Sequence, residues 1–179
     1  MATVAGTIAL MAVPALADTG QHSPGTAQPA ARATVRPADA SGFVSVVEDR
    51  TGNCFDIPNG DTRAGIGVQE FHCHGGANQK FLPLNLSNGF FLLQNKGNLL
   101  CLAPASNTAL ARVIQVSCSP GAPGQWWQFQ LVPEDPSHLW LASGFAGKCA
   151  QLDPDSARDG SLIDVNACIF DNRMFWHFQ

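Results

Sequence analysis

Six cysteines fall into three pairs that recur at a steady interval: Cys54/Cys73, Cys101/Cys118 and Cys149/Cys168. Their first members lie 47 and 48 residues apart, and the separations within the pairs are 19, 17 and 19. Each pair sits in a similar frame. An apolar run comes first, a Gly shortly before the first Cys, a run ending in the second Cys, then an aromatic-rich segment. Those last segments read Asn78-Gln79-Lys80-Phe81, Gln125-Trp126-Trp127-Gln128-Phe129 and Met174-Phe175-Trp176-His177-Phe178. A threefold repeat of this size dictates the architecture, because no single unit can bury its apolar face and stacked units can.

The chain has 179 residues, room for one domain of ordinary size. Charged residues make up 13% of it, roughly half the usual share for a soluble domain. The net charge is −4 and there is no Lys/Arg-rich run, which argues against nucleic acid or an anionic membrane surface as partner. Residues 3–17 are uncharged and mostly apolar, and they end in Ala15-Leu16-Ala17. That pattern predicts a secretory signal peptide over residues 1–17, cut before Asp18. The stretch is too short, and too broken by Pro14, to insert as a membrane span. No Lys or Arg precedes it, which points to a start upstream of Met1. The plainer reading is an Ala-rich disordered tail. Residues 18–40 are poor in apolar side chains and are expected to form a flexible linker, with the folded domain spanning 41–179.

Export decides how the cysteines are read. In an oxidising, extracellular setting six of them are expected to form three disulfides. Of the fifteen or so connectivities open to six cysteines, the repeat favours the one in which each pair closes its own unit. Closing each loop contributes roughly 3 kcal/mol.

The apolar runs after residue 41 are short and mostly alternate, and turn clusters such as Pro58-Asn59-Gly60-Asp61 and Asp159-Gly160-Ser161 separate them. Four strands per repeat are expected, over about 41–87, 88–135 and 136–179. No segment keeps a 3.6-residue apolar period, so almost no helix is expected. The fold class is therefore all-β, an antiparallel barrel with a hairpin cap. Phe81, Trp127 and Trp176 are the equivalent large residues expected to meet in a shared core.

The repeat, the cysteine pairs and the Gln125-Trp126-Trp127 signature together resemble a ricin-type β-trefoil lectin domain of the secreted bacterial type. The resemblance covers roughly residues 41–179 and implies a β-trefoil of three four-stranded repeats with intra-repeat disulfides. It also implies a sugar site assembled from an Asp after the first Cys, a Gln and an aromatic platform before the second, and an Asn-Gln pair beyond. A carboxylate and amides grip vicinal hydroxyls, and an aromatic ring stacks on the apolar face of the sugar. The first repeat carries every part: Asp56, Gln69, Phe71, Asn78 and Gln79, with His74 placed to reach the sugar. The plainer reading is that Asp56 and Asn78 only tie down turns. The second repeat has Ala103 and Val116 at the Asp and platform positions, and the third has Gln151, Asn166 and Arg173-Met174. Both are expected to be structural only.

Other chemistry finds little support. Neighbours on a strand face opposite ways, so His72-Cys73-His74 cannot chelate one ion together. Asp153-Pro154-Asp155 with Asp159-Gly160 lacks the remaining ligands of a calcium loop and reads as a solvated turn. Hydrolase and phosphate-loop motifs are missing. Glu70 alternates with Gln69 and Phe71, so it faces away from Asp56 and cannot complete an acid–base pair. The expected function is a secreted lectin module with no cofactor or metal and no catalysis, taking glycans or glycoconjugates through galactose-type sugars. The competing reading is a trefoil targeting subunit of a multi-chain toxin, or an inhibitor, that binds a protein partner. A contiguous exposed patch of Phe90, Phe91, Trp126 and Trp140 would favour that second reading.

Overall fold

The computed structural model describes residues 42–153 and 158–179. The expected leader and linker lie outside them, as do Pro154 to Ala157 of the acidic turn. Among the described residues twelve strands form, four in each repeat. The first repeat has β1 (Val46–Glu48), β2 (Cys54–Asp56), β3 (Gln69–Phe71) and β4 (Phe81–Asn85). The second has β5 (Phe91–Asn95), β6 (Cys101–Pro104), β7 (Ala111–Val116) and β8 (Trp127–Leu131). The third has β9 (Leu139–Ser143), β10 (Lys148–Leu152), β11 (Ile163–Ala167) and β12 (Trp176–Phe178). Helix is limited to short 3-10 turns at Pro58–Gly60, Ala77–Gln79, Pro123–Gln125 and Asn172–Met174. The last three precede the Phe81, Trp127 and Trp176 strands and are related by the repeat.

Six strands close a ring. β1 pairs with β12, β8 with β9, β5 with β8 and β4 with β5. Bridges Val44↔Phe81 and Trp140↔Phe175 complete it. The hairpins β2–β3, β6–β7 and β10–β11 form the cap. They join one another through Gly67↔Ile114, Asp164↔Arg112 and Gln69↔Leu162. Closure leaves no long free strand edge. The disulfides Cys54–Cys73, Cys101–Cys118 and Cys149–Cys168 each stay within one repeat.

Phe81, Trp127 and Trp176 are fully buried in one core, together with Phe55, Leu93, Leu102, Leu141 and Ile163 among others. Phe55 meets the Trp176 ring edge-on at 4.8 Å and Phe81 at 6.4 Å. A buried indole N–H needs an acceptor. Trp127 Nε1 donates to Leu102 O and Trp176 Nε1 to Ala150 O, each at 2.9 Å. Both carbonyls belong to the residue after the first Cys of their repeat. Phe81 has no N–H, and at the matching position of its repeat it meets the Phe55 ring instead.

The cap also buries a carboxyl at the junction of the second and third repeats. Asp164 is opposite Gln151 on β10 and Arg112 on β7. Asp164 Oδ1 and Gln151 Oε1 are both buried acceptors without a hydrogen-bond partner. Burial pushes Asp164 up to about 6, with Asp153 adding to the rise while Arg112 and Arg173 oppose it.

Truncating a core anchor loses transfer free energy and leaves a cavity. Trp176→Ala is expected to lower the unfolding free energy by about 3–5 kcal/mol in urea denaturation. Trp176→Phe, which keeps the ring but leaves Ala150 O unpaired, is expected to cost about 1–3 kcal/mol. For Asp164 the folded value lies above the unfolded one, so its stabilising contribution is complete below the unfolded value and is lost as pH rises through about 6. Asp164→Asn is expected to stabilise the domain by about 1–3 kcal/mol near neutral pH and by almost nothing near pH 4. Urea denaturation at the two pH values measures both numbers. Equal effects at both would refute the titration.

Candidate functional site

Asp56 ends β2 and is buried, with 2% of its surface exposed. A buried carboxylate must be hydrogen-bonded to stay charged. Gln69 lies directly across the hairpin in register, and its Nε2 donates to Asp56 Oδ1 at 2.9 Å. Asn78, on the 3-10 turn before β4, donates from Nδ2 to Asp56 Oδ2 at 2.7 Å and to Ile57 O at 3.1 Å. Two amides therefore aim the carboxylate, and Asn78 has no N–H left for anything else.

A cavity of about 350 Å³ opens over this pair, lined by Asp56, Asn59, Gly60, Gln69, Phe71, His74 and Asn78. His74 Nε2 lies 3.5 Å from Asp56 Oδ2, and the backbone N–H of Gly76 donates to His74 Nδ1 at 3.1 Å. An accepting Nδ1 leaves the proton of a neutral imidazole on Nε2, facing the carboxylate. Gly76 allows this close approach. A Cβ there would lie 2.7 Å from both Asn78 Oδ1 and His74 Cε1. Asp56, Asn59, Gln69, His74 and Asn78 supply the polar side chains of the lining. No Lys or Arg lines it.

Gln79 is placed differently from the sequence-based expectation. It is fully buried and absent from the cavity lining. Its Oε1 accepts from the backbone N–H of His74 at 2.7 Å and Gly75 at 3.2 Å, and its Nε2 donates to His72 O at 2.9 Å. The equivalent Gln125 binds Ser119 N at 2.7 Å and Ser117 O at 2.9 Å. Both glutamines clamp the chain on either side of the second Cys of their repeat, which is a scaffold role. In the third repeat Met174 fills that place inside an apolar cluster with Trp140, Cys149 and Phe175.

Asn59 and Gly60 are lining residues that sequence reasoning read only as a turn. They take positive φ, 55° and 64°, which Asn tolerates and Gly adopts freely. The second repeat holds this turn from outside. Gln115 Nε2 donates to Asp61 O at 2.8 Å and Arg63 O at 2.6 Å, and Asn98 Nδ2 donates to Asp61 O at 2.9 Å.

The corresponding places in the other repeats differ. Ala103 faces Ile114 across the second hairpin, with no polar side chain at either position. In the third, Gln151 faces Asp164, so amide and carboxyl have exchanged strands. Both are buried, and Arg173 is paired to Asp171.

Glu70 lies on the far side of β3 from the cavity. It is fully buried, its Oε2 accepts from Thr51 Oγ1 at 3.0 Å, and burial, with nearby Glu48, raises its carboxyl above the usual range. Cys73 of the His72-Cys73-His74 run is oxidised. Among the described residues no group of three or more His, Cys, Asp or Glu side chains could hold a metal ion, and no helix is long and apolar enough to cross a membrane. Of the four surplus aromatics, Phe91 and Trp140 are buried, while Phe90 and Trp126 are half-buried and pack together at 5.7 Å.

Solved structures share the architecture. The designed threefold-symmetric protein ThreeFoil superposes with a TM-score of 0.71 at 24% identity, covering 76% of this chain and 97% of that one. A ricin B-like lectin of Macrolepiota procera, solved with lactose, gives 0.67 at 12% identity over 82% and 98%. The cytolethal distending toxin of Haemophilus ducreyi gives 0.63 at 14% identity over 80% and 86%. No curated protein matches the sequence. The model of the ricin-type β-trefoil lectin domain matches residues 42–174, and the chain belongs to that family, whose fold is a carbohydrate-binding one.

Proposed function

We propose that the protein is a secreted lectin module that binds one terminal sugar in the first-repeat cavity. The observation that carries this reading is Asp56. It is a buried carboxylate oriented by Gln69 and Asn78 at a cavity that Phe71 also lines. Two vicinal hydroxyls donate to the free Asp56 lone pairs, and the apolar face of the ring stacks on Phe71. His74 Nε2–H supplies a donor, and Gln79 supports the loop that carries His74. With acceptors dominating and no cation in the lining, the site suits an uncharged polyol of the galactose type.

One shallow site buries few ligand atoms, so affinity is weak, with Kd about 10⁻⁴ to 10⁻³ M. Glu70 faces away from the cavity, which leaves Asp56 without a second carboxyl and supports a non-catalytic role. The intra-repeat disulfides suit an oxidising compartment.

A protein-contact role has one observation in its favour, the likeness to a toxin structure. The aromatic patch on which it would rely is divided, since two of its four side chains are buried.

Asp56→Ala removes a charged acceptor and is expected to weaken sugar binding by about 1.5–3 kcal/mol, roughly 10- to 150-fold. Phe71→Ala is expected to weaken it by a similar factor, and Gln151→Ala in the third repeat to leave it unchanged. Calorimetric titration with galactose, lactose and other simple sugars reads all three. Equal binding by wild type and Asp56→Ala would refute the site. Absence of glycan binding beside tight capture of a co-secreted protein would favour the protein-contact role.

A further inference from the structure

β3 carries Gln69 and Phe71 to the cavity, yet the third repeat holds this strand from its outer side. The backbone N–H of Glu70 donates to Ser161 O at 2.7 Å, and that of Gly160 donates to Glu70 O at 2.9 Å. A bridge joins Gln69 to Leu162. These are main-chain bonds that most residues at those positions would make. Asp159 adds something sequence-specific. Its Oδ1 accepts from the backbone N–H of His72 at 2.6 Å, and its Oδ2 lies 2.7 Å from His72 Nδ1. The hydrogen bond from His72 holds the Asp159 carboxyl below its usual range, which keeps it an ionised acceptor.

Phe71 sits between the two residues so held, Glu70 and His72. Its ring centroid lies 4.4 Å from that of His72, with the planes tilted by 37°. Phe71 is itself half-buried and has few other ring neighbours, with His74 at 6.2 Å. A platform ring on a three-residue strand is fixed by its flanks or not at all. On one side Glu70 is locked in the buried layer; on the other, the exposed His72 is held at its carbonyl by Gln79 and at its N–H and ring by Asp159.

We infer that Asp159, a residue of the third repeat, is a positioning residue for the first-repeat site, clamping His72 and so fixing the Phe71 ring against which the sugar packs. The inference rests on the sugar-binding reading given above. It makes a single-site lectin depend on two repeats at once, because the ring belongs to the first and the clamp to the third.

The test uses the full chain and two readouts. Without ligand, Asp159→Ala is expected to speed hydrogen exchange at the His72 amide and to shift the Phe71 ring resonances, with the melting midpoint unchanged because both partners are solvent-exposed. With a sugar that wild type binds, Asp159→Ala is expected to weaken affinity about three- to tenfold. Asp159→Asn keeps the Oδ1 acceptor for the His72 N–H and is expected to recover part of the loss. The double variant Asp159→Ala/His72→Ala is expected to bind no more weakly than Asp159→Ala alone, since both act through one contact. Unchanged His72 exchange in Asp159→Ala would overturn the inference, as would fully additive losses in the double variant. A fall in affinity accompanied by an equal fall in stability would do the same. Should wild type bind no sugar, the lectin reading fails by itself, and the ligand-free exchange and ring signals decide the clamp alone.

Discussion

A hairpin of two short strands buries too little apolar surface to stand alone. The three repeats solve this by sharing one core into which Phe81, Trp127 and Trp176 project, all fully buried. Everything else hangs from that meeting point. Each anchor begins a barrel strand two residues after the end of a 3-10 turn, so fixing the ring fixes where the turn sits. In the first repeat that turn carries Asn78, and Asn78 is what aims Asp56. The route from core to site is thus three residues long in sequence, from Phe81 to Asn78, and one hydrogen bond in space. The indole N–H bonds to Leu102 and Ala150 tie the second and third anchors to the strand after the first Cys. The first anchor is a phenyl ring with no such bond, and its repeat is the one whose cap hairpin carries an oriented carboxylate.

The repeats separate what is needed to fold from what is needed to bind. Gln79 and Gln125 make the same bonds to the chain around the second Cys, although only the first repeat has a cavity with an oriented carboxylate. A residue kept in the same role where Ala103 has replaced the carboxylate is serving the fold. Met174 shows a different solution. It gives up the backbone bonds and fills the space with apolar volume beside Trp140 and Phe175. Asp164 and Gln151 show the cost of an exchange without re-aiming. The same two chemical groups face each other as in the first hairpin, but on opposite strands, and each retains a buried acceptor with no partner. An Asp in the first hairpin is held by two amides, whereas the Asp in the third is pushed toward its neutral form.

Much of this was legible in the sequence, for identifiable reasons. Strands could be placed because a period of two survives in runs such as Ala111–Val116, and because Gly-containing turns bound them. The 3-10 turns could not, since three residues carry no period. Asp56 and Gln69 were named through the resemblance, each by its spacing to its Cys, but the hydrogen bond between them is seen only in the structure. Gln79 entered the site through the resemblance, as the second member of the Asn78-Gln79 pair. Its recurrence as Gln125, in a repeat without the Asp, was the available sign of a scaffold role. Asn59 and Gly60 were visible as a turn, but the Asp61 and Arg63 carbonyls just after them are held by Gln115 and Asn98, which lie in another repeat. Asp159 was read only as part of a turn cluster for the same reason. Its partner His72 is 87 residues away, and no local pattern reports a contact across that distance.

The distribution of polar and apolar surface bears on how such a module works. Among the described residues the exposed large apolar side chains are Leu99, Leu110, Leu131, Ile169 and Phe170, from the second and third repeats and their connections. Single apolar side chains at a surface need no special explanation. The first repeat, by contrast, brings Asp56, Asn59, Gln69, His74 and Asn78 together at one concave place. A chain with one such place and weak intrinsic affinity gains useful retention only when several copies face a surface bearing many sugars, since the second engagement is then intramolecular. The asymmetry among the repeats therefore constrains function more than the site alone does. A trefoil with three working sites could bridge glycans as a monomer, whereas under the proposed single-site reading retention would come from clustering of the chain itself, by assembly or by tethering. On the single-site reading proposed above, the surface of the second and third repeats is the part of the molecule left to supply that clustering.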